Sequence, residues 1–143
     1  MMKHFAKLFV AAMLAGSFGL VSAAVDEEKV VYHINDSAVA KAAMGNVKNH
    51  LSAVDGKAKI VIVTHGKGID FLFEGAADKD GNPYNINVEE LMAKGVEFRV
   101  CNNTIVNRKL DPTKLLPGSK IVPSGVAELA RLQSKEGYVY IKP

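Results

Sequence analysis

The chain contains one cysteine, Cys101, at the end of a short predicted strand. The strand spans 96–101 and is followed by Asn103 and Thr104, residue types that commonly begin turns and helices. A thiol reacts as its thiolate, and a helix N-terminus or a nearby cation lowers the pKa of the thiol. Arg99 lies two residues before Cys101 on the same strand face, and Asn103 and Thr104 add polar groups beside the sulfur. These residues indicate a thiol that could be reactive.

The cysteine count limits the chemistry that this thiol could perform. One cysteine cannot form a disulfide within the chain, and paired Cys-x-x-Cys chemistry is excluded. Three single-thiol reactions remain: transfer of a sulfur atom as a persulfide, formation of a mixed disulfide, and oxidation to sulfenic acid. The alternative is an inert, structural cysteine, because free cysteines are often simply buried.

Two histidines, His33 and His65, lie at or just after the ends of the first two predicted strands. Because the carboxyl ends of parallel strands meet at one edge of a sheet, both histidines could lie near Cys101. One interpretation is a base or a metal ligand, and the other is a pair of structural histidines. No carboxylate or second thiol is associated with them by spacing, so we predict no metal site and no cofactor.

A glycine-rich turn containing Gly66 and Gly68 follows the second predicted strand. Backbone N–H groups in such a turn can bind an anion, and a tight structural turn is the other interpretation. The turn lacks the dinucleotide-binding pattern, since Phe71 stands where a third glycine is required. It also lacks the P-loop pattern, because Lys67 is not followed by serine or threonine.

Alternating strands and helices must position these side chains. Strands are predicted from β-branched and aromatic runs at 29–34, 60–63, 96–101, 120–123 and 138–141. Apolar residues at helical spacing, together with capping residues, predict helices at about 39–51, 87–95, 104–106 and 124–136. This order predicts an α/β fold with a parallel-type sheet and helices on both of its faces.

The third predicted strand alternates apolar and polar residues. Phe98 and Val100 point to one face, and Arg99 and Cys101 point to the other. A strand with one polar face is not expected to be buried on both sides. The face of Arg99 and Cys101 is therefore predicted to meet solvent, a ligand or another subunit.

Residues 1–23 have the pattern of an export signal. Lys3 and Lys7 precede an apolar run over 8–21, and small residues end at Ala23. The run, about 14 residues long, is too short to span a membrane as a helix. We expect cleavage after Ala23, a periplasmic or secreted mature chain of one domain (24–143), and no stable membrane anchor. An uncleaved amphipathic anchor is the alternative.

The charge of the mature chain argues against a nucleic-acid partner. Without Lys3 and Lys7, 16 of the 18 basic residues remain against 15 acidic ones, a formal net charge of +1. No cluster of Lys and Arg interleaved with aromatic residues is present, so nucleic acid is not an expected partner. The hydrophobic content of 48% favours a packed globular core.

Several short motifs occur in order over 28–143: VTHGKGI at 63–69, C-x-N-T at 101–104, VPSGV at 122–126, LQ at 132–133 and GYVYIKP at 137–143. Together, and in this order, they resemble one known family, the DsrE/DsrF-like proteins. The resemblance implies a three-layer α/β/α sandwich around a mostly parallel five-stranded sheet. It also implies a homo-oligomer, a trimer or hexamer.

In the sulfur-relay members of this family, a cysteine near this point of the chain carries a persulfide, and Cys101 takes that position. The resemblance thus implies a periplasmic sulfur carrier with sulfur donor and acceptor proteins as partners. Export is a departure, since the well-understood relay members act in the cytoplasm. The alternative is a non-enzymatic, oligomeric protein that binds a small ligand or supports assembly, with a structural cysteine.

Overall fold

The computed structural model describes residues 27–143, and the predicted signal peptide (1–23) lies outside the described residues. Five strands form one sheet: β1 (Glu28–Asp36), β2 (Ala58–Lys67), β3 (Glu97–Cys101), β4 (Lys120–Val122) and β5 (Val139–Ile141). Their order is β4-β3-β2-β1-β5, and every pair of neighbours is parallel. The predicted parallel sheet of five strands is confirmed.

Four α-helices connect the strands: α1 (Ala40–Ala53), α2 (Asn85–Ala93), α3 (Asn102–Asn107) and α4 (Gly125–Glu136). Short 3-10 turns occur at Ser37–Val39, Asp70–Leu72 and Pro112–Lys114. None of the helices within 27–143 has the length and apolar character needed to cross a bilayer.

The order of the strands follows from their side chains. The apolar run of β2 has no alternation, and its residues from Ile60 to Val63 are buried on both faces. By contrast, β4 and β5 have three residues each and form the two edges, where short strands expose few unpaired backbone groups. This arrangement puts β1, β2 and β3 side by side in the interior of the sheet.

Two apolar clusters lie on opposite faces of the sheet. On one face, α1, α2 and α3 cover the larger cluster, to which Ile62 and Phe98 contribute. On the other, α4 covers a smaller cluster that joins Val61 and Val63 to Leu132. The predicted three-layer α/β/α sandwich is confirmed. The layer on the α4 side has one helix and the smaller apolar cluster, against three helices on the other side.

The ends of α4 are fixed by capping interactions. Ser124 precedes the helix, and its Oγ accepts a hydrogen bond from the N–H of Ala127 at 3.3 Å. At the other end, Gly137 has φ 73°, a left-handed conformation that stops the helix with little strain. The N-terminus of α4 is thereby held at the carboxyl edge of the sheet.

The polar face of β3 is covered by α4, and the prediction that this face is open to solvent is wrong for the described residues. The Arg99 side chain is 13% exposed, and Cys101 is 5% exposed. Arg99 can be covered because its guanidinium pairs with Glu97 and with Glu128 of α4. The polar residues of β3 therefore belong to a partly buried ion-pair network between the strand and α4.

Candidate functional site

Cys101 lies where the carboxyl edge of the sheet meets two helices. It is the last residue of β3 and directly precedes α3, for which it is the N-cap residue. The N-terminus of α4 comes to the same point, since a Cβ at Gly125 would lie 3.2 Å from the Cβ of Cys101, and the N–H of Gly125 helps to lower the pKa of the thiol. The predicted position of the thiol, at a strand end before a helix, is the one that the structure shows.

The sulfur of Cys101 is surrounded by hydrogen-bond donors. Burial by itself raises the pKa of a thiol, because it disfavours the charged form. Here, the backbone N–H groups of Gly125, Thr104 and Asn103 and the hydroxyl of Thr104 outweigh burial, and the pKa of Cys101 is lowered. A buried sulfur with these donors favours the thiolate, the reactive form.

Gly125 permits this close approach of α4. A Cβ at this position would lie 3.2 Å from the Cβ of Cys101, from the Cβ of His65 and from the backbone oxygen of Thr64. Each of these contacts is tighter than ordinary van der Waals packing. The absence of a side chain at Gly125 therefore lets the first N–H of the helix reach the sulfur.

Thr104 connects the sulfur to the glycine-rich turn. Its Oγ1 accepts a hydrogen bond from the N–H of Gly66 at 3.0 Å and donates its own hydrogen to Cys101. The N–H of Gly68 bonds the oxygen of His65 at 2.9 Å. Both glycine N–H groups are therefore engaged within the protein, which favours the tight structural turn over an anion-binding loop.

Gly68 is required by the path of the chain. A Cβ at this position would lie 2.1 Å from the backbone oxygen of Ile34, which is impossible without moving one of the two strands. The turn therefore packs directly against the end of β1. The turn therefore holds His65 on one side, and the N-terminus of α4 packs against its Cβ on the other.

The family model described as "DsrE/DsrF-like family" matches residues 17–143. The chain belongs to the DsrE/DsrF-like family. No curated protein matches it.

Two solved structures resemble this DsrE/DsrF-like chain over most of its length. The protein of unknown function MTH1491 from Methanobacterium thermoautotrophicum is 30% identical, with a TM-score of 0.72. The alignment covers 81% of this chain and 99% of MTH1491. The YchN protein from E. coli is 16% identical with a TM-score of 0.66 and the same coverage, 81% and 99%, and it supports the fold alone.

The two predicted histidines of this family member are in direct contact. Nε2 of His33 lies 2.7 Å from Nε2 of His65, and the rings are stacked with centroids 4.8 Å apart. Nδ1 of His33 is also 2.7 Å from the hydroxyl of Tyr140. The carboxyl ends of β1 and β2 thus bring both histidines together beside the residues that hold Cys101.

His33 and His65 favour the neutral form at pH 7. Burial, followed by the neighbouring His65 and Lys142, lowers the pKa of His33 from 6.5 to about 4. Burial and Lys142 also lower the pKa of His65. Each ring therefore has one N–H that can donate a hydrogen bond and one nitrogen lone pair that can accept one.

The described residues contain no group of three or more His, Cys, Asp or Glu side chains placed to hold a metal ion. The short separation between His33 and His65 is that of a hydrogen bond between two imidazoles.

Three cavities of about 430, 210 and 220 Å³ are lined by other parts of the chain. The 430 Å³ cavity adjoins Gly56, before β2, and so lies at the opposite end of the strands from Cys101.

Arg99 does not contact the sulfur of Cys101. Its guanidinium bonds Glu97 at 2.7 Å and also pairs with Glu128, which in turn binds Arg131 at 2.8 Å. Since these carboxylates neutralise it, Arg99 does not serve as the cation beside the thiol. It attaches α4 to β3 and so keeps Gly125 over the sulfur.

Two residues of the site, Gly125 and Tyr140, were missed as functional residues by the sequence analysis. Gly125 follows the capping Ser124, and in sequence this pattern signals only the start of a helix. Tyr140 is predicted in the last strand, but its contact with His33 depends on β5 pairing beside β1, where Tyr140 is opposite Val31. No local sequence pattern specifies that pairing.

Proposed function

We propose that this chain is a sulfur carrier that holds one sulfane sulfur atom as a persulfide on Cys101. The observation that carries the proposal is the position of the buried Cys101, where the end of β3, the start of α3 and the N-terminus of α4 meet, with a pKa that nearby N–H and O–H groups lower. Membership of the DsrE/DsrF-like family is consistent with a role related to sulfur relay.

The chemistry of loading is a thiolate attack on sulfur. The thiolate of Cys101 attacks the outer sulfur of a donor persulfide, the S–S bond of the donor breaks, and its electron pair leaves on the donor thiolate. A new S–S bond forms on Cys101, so no oxidant or reductant is consumed. The N–H groups that stabilise the thiolate also stabilise it as the leaving group when the sulfur moves on.

The setting of this carrier is part of the same proposal. The leader pattern over 1–23 supports export and a mature chain that begins at Ala24, in the periplasm or outside the cell and without a stable membrane anchor. Exposed apolar side chains at Val106 of α3 and Val126 of α4 support a homo-oligomer such as a trimer or hexamer. Sulfur donor and acceptor proteins are the proposed partners.

Intact mass tests the carrier. The exported protein is incubated with a sulfane-sulfur donor, and we expect a gain of about 32 Da, one sulfur atom, on the mass of a chain starting at Ala24. Cys101→Ser is the matched control, because it replaces only the sulfur. No mass gain in the wild type, or an equal gain in Cys101→Ser, contradicts the proposal.

The second candidate function is a non-enzymatic, oligomeric protein that binds a small ligand or supports assembly. Two observations favour it: Cys101 is only 5% exposed, and the 430 Å³ cavity lies far from it. In that case the thiol is structural. Very slow labelling of native Cys101 by iodoacetamide, with fast labelling after unfolding, would favour this function over the carrier.

A further inference from the structure

A chain of hydrogen bonds runs from the neighbourhood of Cys101 to the protein surface. Nε2 of His65 bonds Nε2 of His33, and Nδ1 of His33 bonds the hydroxyl of Tyr140, each at 2.7 Å. Tyr140 is 39% exposed, so its end of the chain meets water. The other end is His65, whose Cβ packs at the N-terminus of α4 with that of Cys101.

The inner end of the chain has an uncommitted ring nitrogen. Within 27–143, Nδ1 of His65 makes no hydrogen bond, although Nε2 of the same ring does. The Cβ atoms of His65 and Cys101 both lie 3.2 Å from one point, the position of a Cβ at Gly125, so they are at most twice that distance apart. A persulfide extends Cys101 outward by one S–S bond of about 2.05 Å.

We infer that Tyr140, His33 and His65 form a proton relay that serves the outer sulfur of a persulfide on Cys101. This inference rests on the proposed function, and it assigns three residues to one step, the release of sulfur to an acceptor thiol. The thiolate of Cys101 is stabilised by N–H groups and needs no base. The outer sulfur is the atom that requires a proton.

The proton controls whether sulfur can leave. An anionic persulfide repels an incoming thiolate, whereas the neutral Cys101–S–SH accepts its attack at the outer sulfur. The bond to the Sγ of Cys101 then breaks, and its electron pair remains on Sγ as a thiolate held by its N–H donors. One S–S bond forms as one breaks, and the proton stays on the transferred sulfur.

The relay moves this proton without charging either ring. His65 gives its Nδ1 proton to the outer sulfur while its Nε2 takes a proton from Nε2 of His33. Nδ1 of His33 takes the proton of Tyr140, which is replaced from water. Lowered pKa values keep both imidazoles neutral, so each offers one N–H and one lone pair. Loading brings in a protonated sulfur, and its proton leaves by the reverse route, which restores both tautomers.

The test separates loading from release. Wild type, His65→Ala and Tyr140→Phe are loaded with a sulfane-sulfur donor, and intact mass follows the gain and then its loss to 2-mercaptoethanol. We expect all three to load, and His65→Ala to release sulfur roughly ten- to a hundredfold more slowly, since general acids commonly contribute this much or more. Tyr140→Phe should be slowed less, and added imidazole should restore release in His65→Ala.

A matched histidine outside the relay provides the control. His50 bonds Tyr32 and Glu28 at the start of the sheet, and His50→Gln should load and release like the wild type. Release from His65→Ala at the wild-type rate, or slow release that imidazole does not restore, overturns the relay while leaving the carrier intact. A wild type that gains no sulfur overturns the carrier and the relay together.

Discussion

The protonation state of the Cys101 thiol depends on N–H and O–H groups of neighbouring residues. Most of its hydrogen-bond donors are backbone N–H groups, which a substitution cannot remove directly. The hydroxyl of Thr104 is the side-chain donor among them, and it also accepts the N–H of Gly66. At the scale of single residues, a substitution at Thr104 can therefore change the pKa of the thiol while Cys101 itself is kept.

Thr104→Val should make Cys101 a weaker nucleophile near neutral pH. Valine keeps the shape of threonine but removes a hydrogen bond that lowers the pKa of Cys101, so the pKa rises. The pH dependence of iodoacetamide labelling should shift to higher pH. Loss of the acceptor for Gly66 should also lower the free energy of unfolding by about 1–3 kcal/mol.

Thr104→Ser is the control for this change, because serine keeps the hydroxyl at the same position. Its labelling profile should stay close to that of the wild type. A Thr104→Val profile that does not move would mean that the hydroxyl makes no contribution to the thiolate.

At the scale of elements, the site depends on how α4 is placed against β3. The partly buried pair of Arg99 and Glu128 joins α4 to β3, and Gly125 sets the closest approach at the helix start. Both belong to the contact between α4 and β3. A substitution that shifts the start of α4 should therefore move its backbone N–H relative to the sulfur of Cys101.

Sequence patterns predicted most of these elements but not the contacts between them. Apolar periodicity and the capping Ser124 specify α4, and the apolar run of β2 specifies a central strand, because these signals are local. The role of Arg99 was misjudged because its partner, Glu128, is 29 residues away in the chain. Likewise, Tyr140 and His33 are 107 residues apart and meet only through strand pairing.

Gly125→Ala should raise the pKa of Cys101 without unfolding the protein. The new Cβ would be 3.2 Å from three neighbouring atoms, so the start of α4 must shift and its N–H should move away from the sulfur. Thiol labelling should then require a higher pH than in the wild type.

Gly45→Ala is the comparison, because a Cβ at Gly45 in α1 meets nothing within 4 Å. It should raise the free energy of unfolding by up to about 1 kcal/mol through helix propensity, with unchanged labelling. Identical labelling profiles for the two alanine variants would show that the approach of α4 does not determine the state of the thiol.

At the scale of the whole molecule, the sheet order concentrates polar groups at one edge. The strands β1, β2 and β3 are adjacent, so the side chains of His33, His65 and Cys101 end up together at their carboxyl ends. Because partial burial lowers the pKa values of both imidazoles, the stability of the fold depends on pH. That sensitivity can be measured on the intact protein without any substrate.

The fold should lose stability from the histidine pair as the pH falls from about 6.5 to about 4. His33 has a pKa of about 4 in the folded chain against an ordinary value of 6.5, so the unfolded chain binds more protons in this window. The contribution is therefore fully present above the unfolded value and is lost on acidification. Urea unfolding of the wild type at pH 7 and at pH 5 should show the loss.

His33→Gln separates this effect from the titration of carboxylates. Glutamine stays polar but takes up no proton, whereas pairs such as Arg99 with Glu128 are present in both proteins and contribute equally to their acid sensitivity. The difference in unfolding free energy between pH 7 and pH 5 should thus be smaller in His33→Gln than in the wild type. Equal differences in the two proteins would mean that His33 takes up its proton as readily in the folded chain as in the unfolded one, and that the hydrogen-bonded pair is not held neutral.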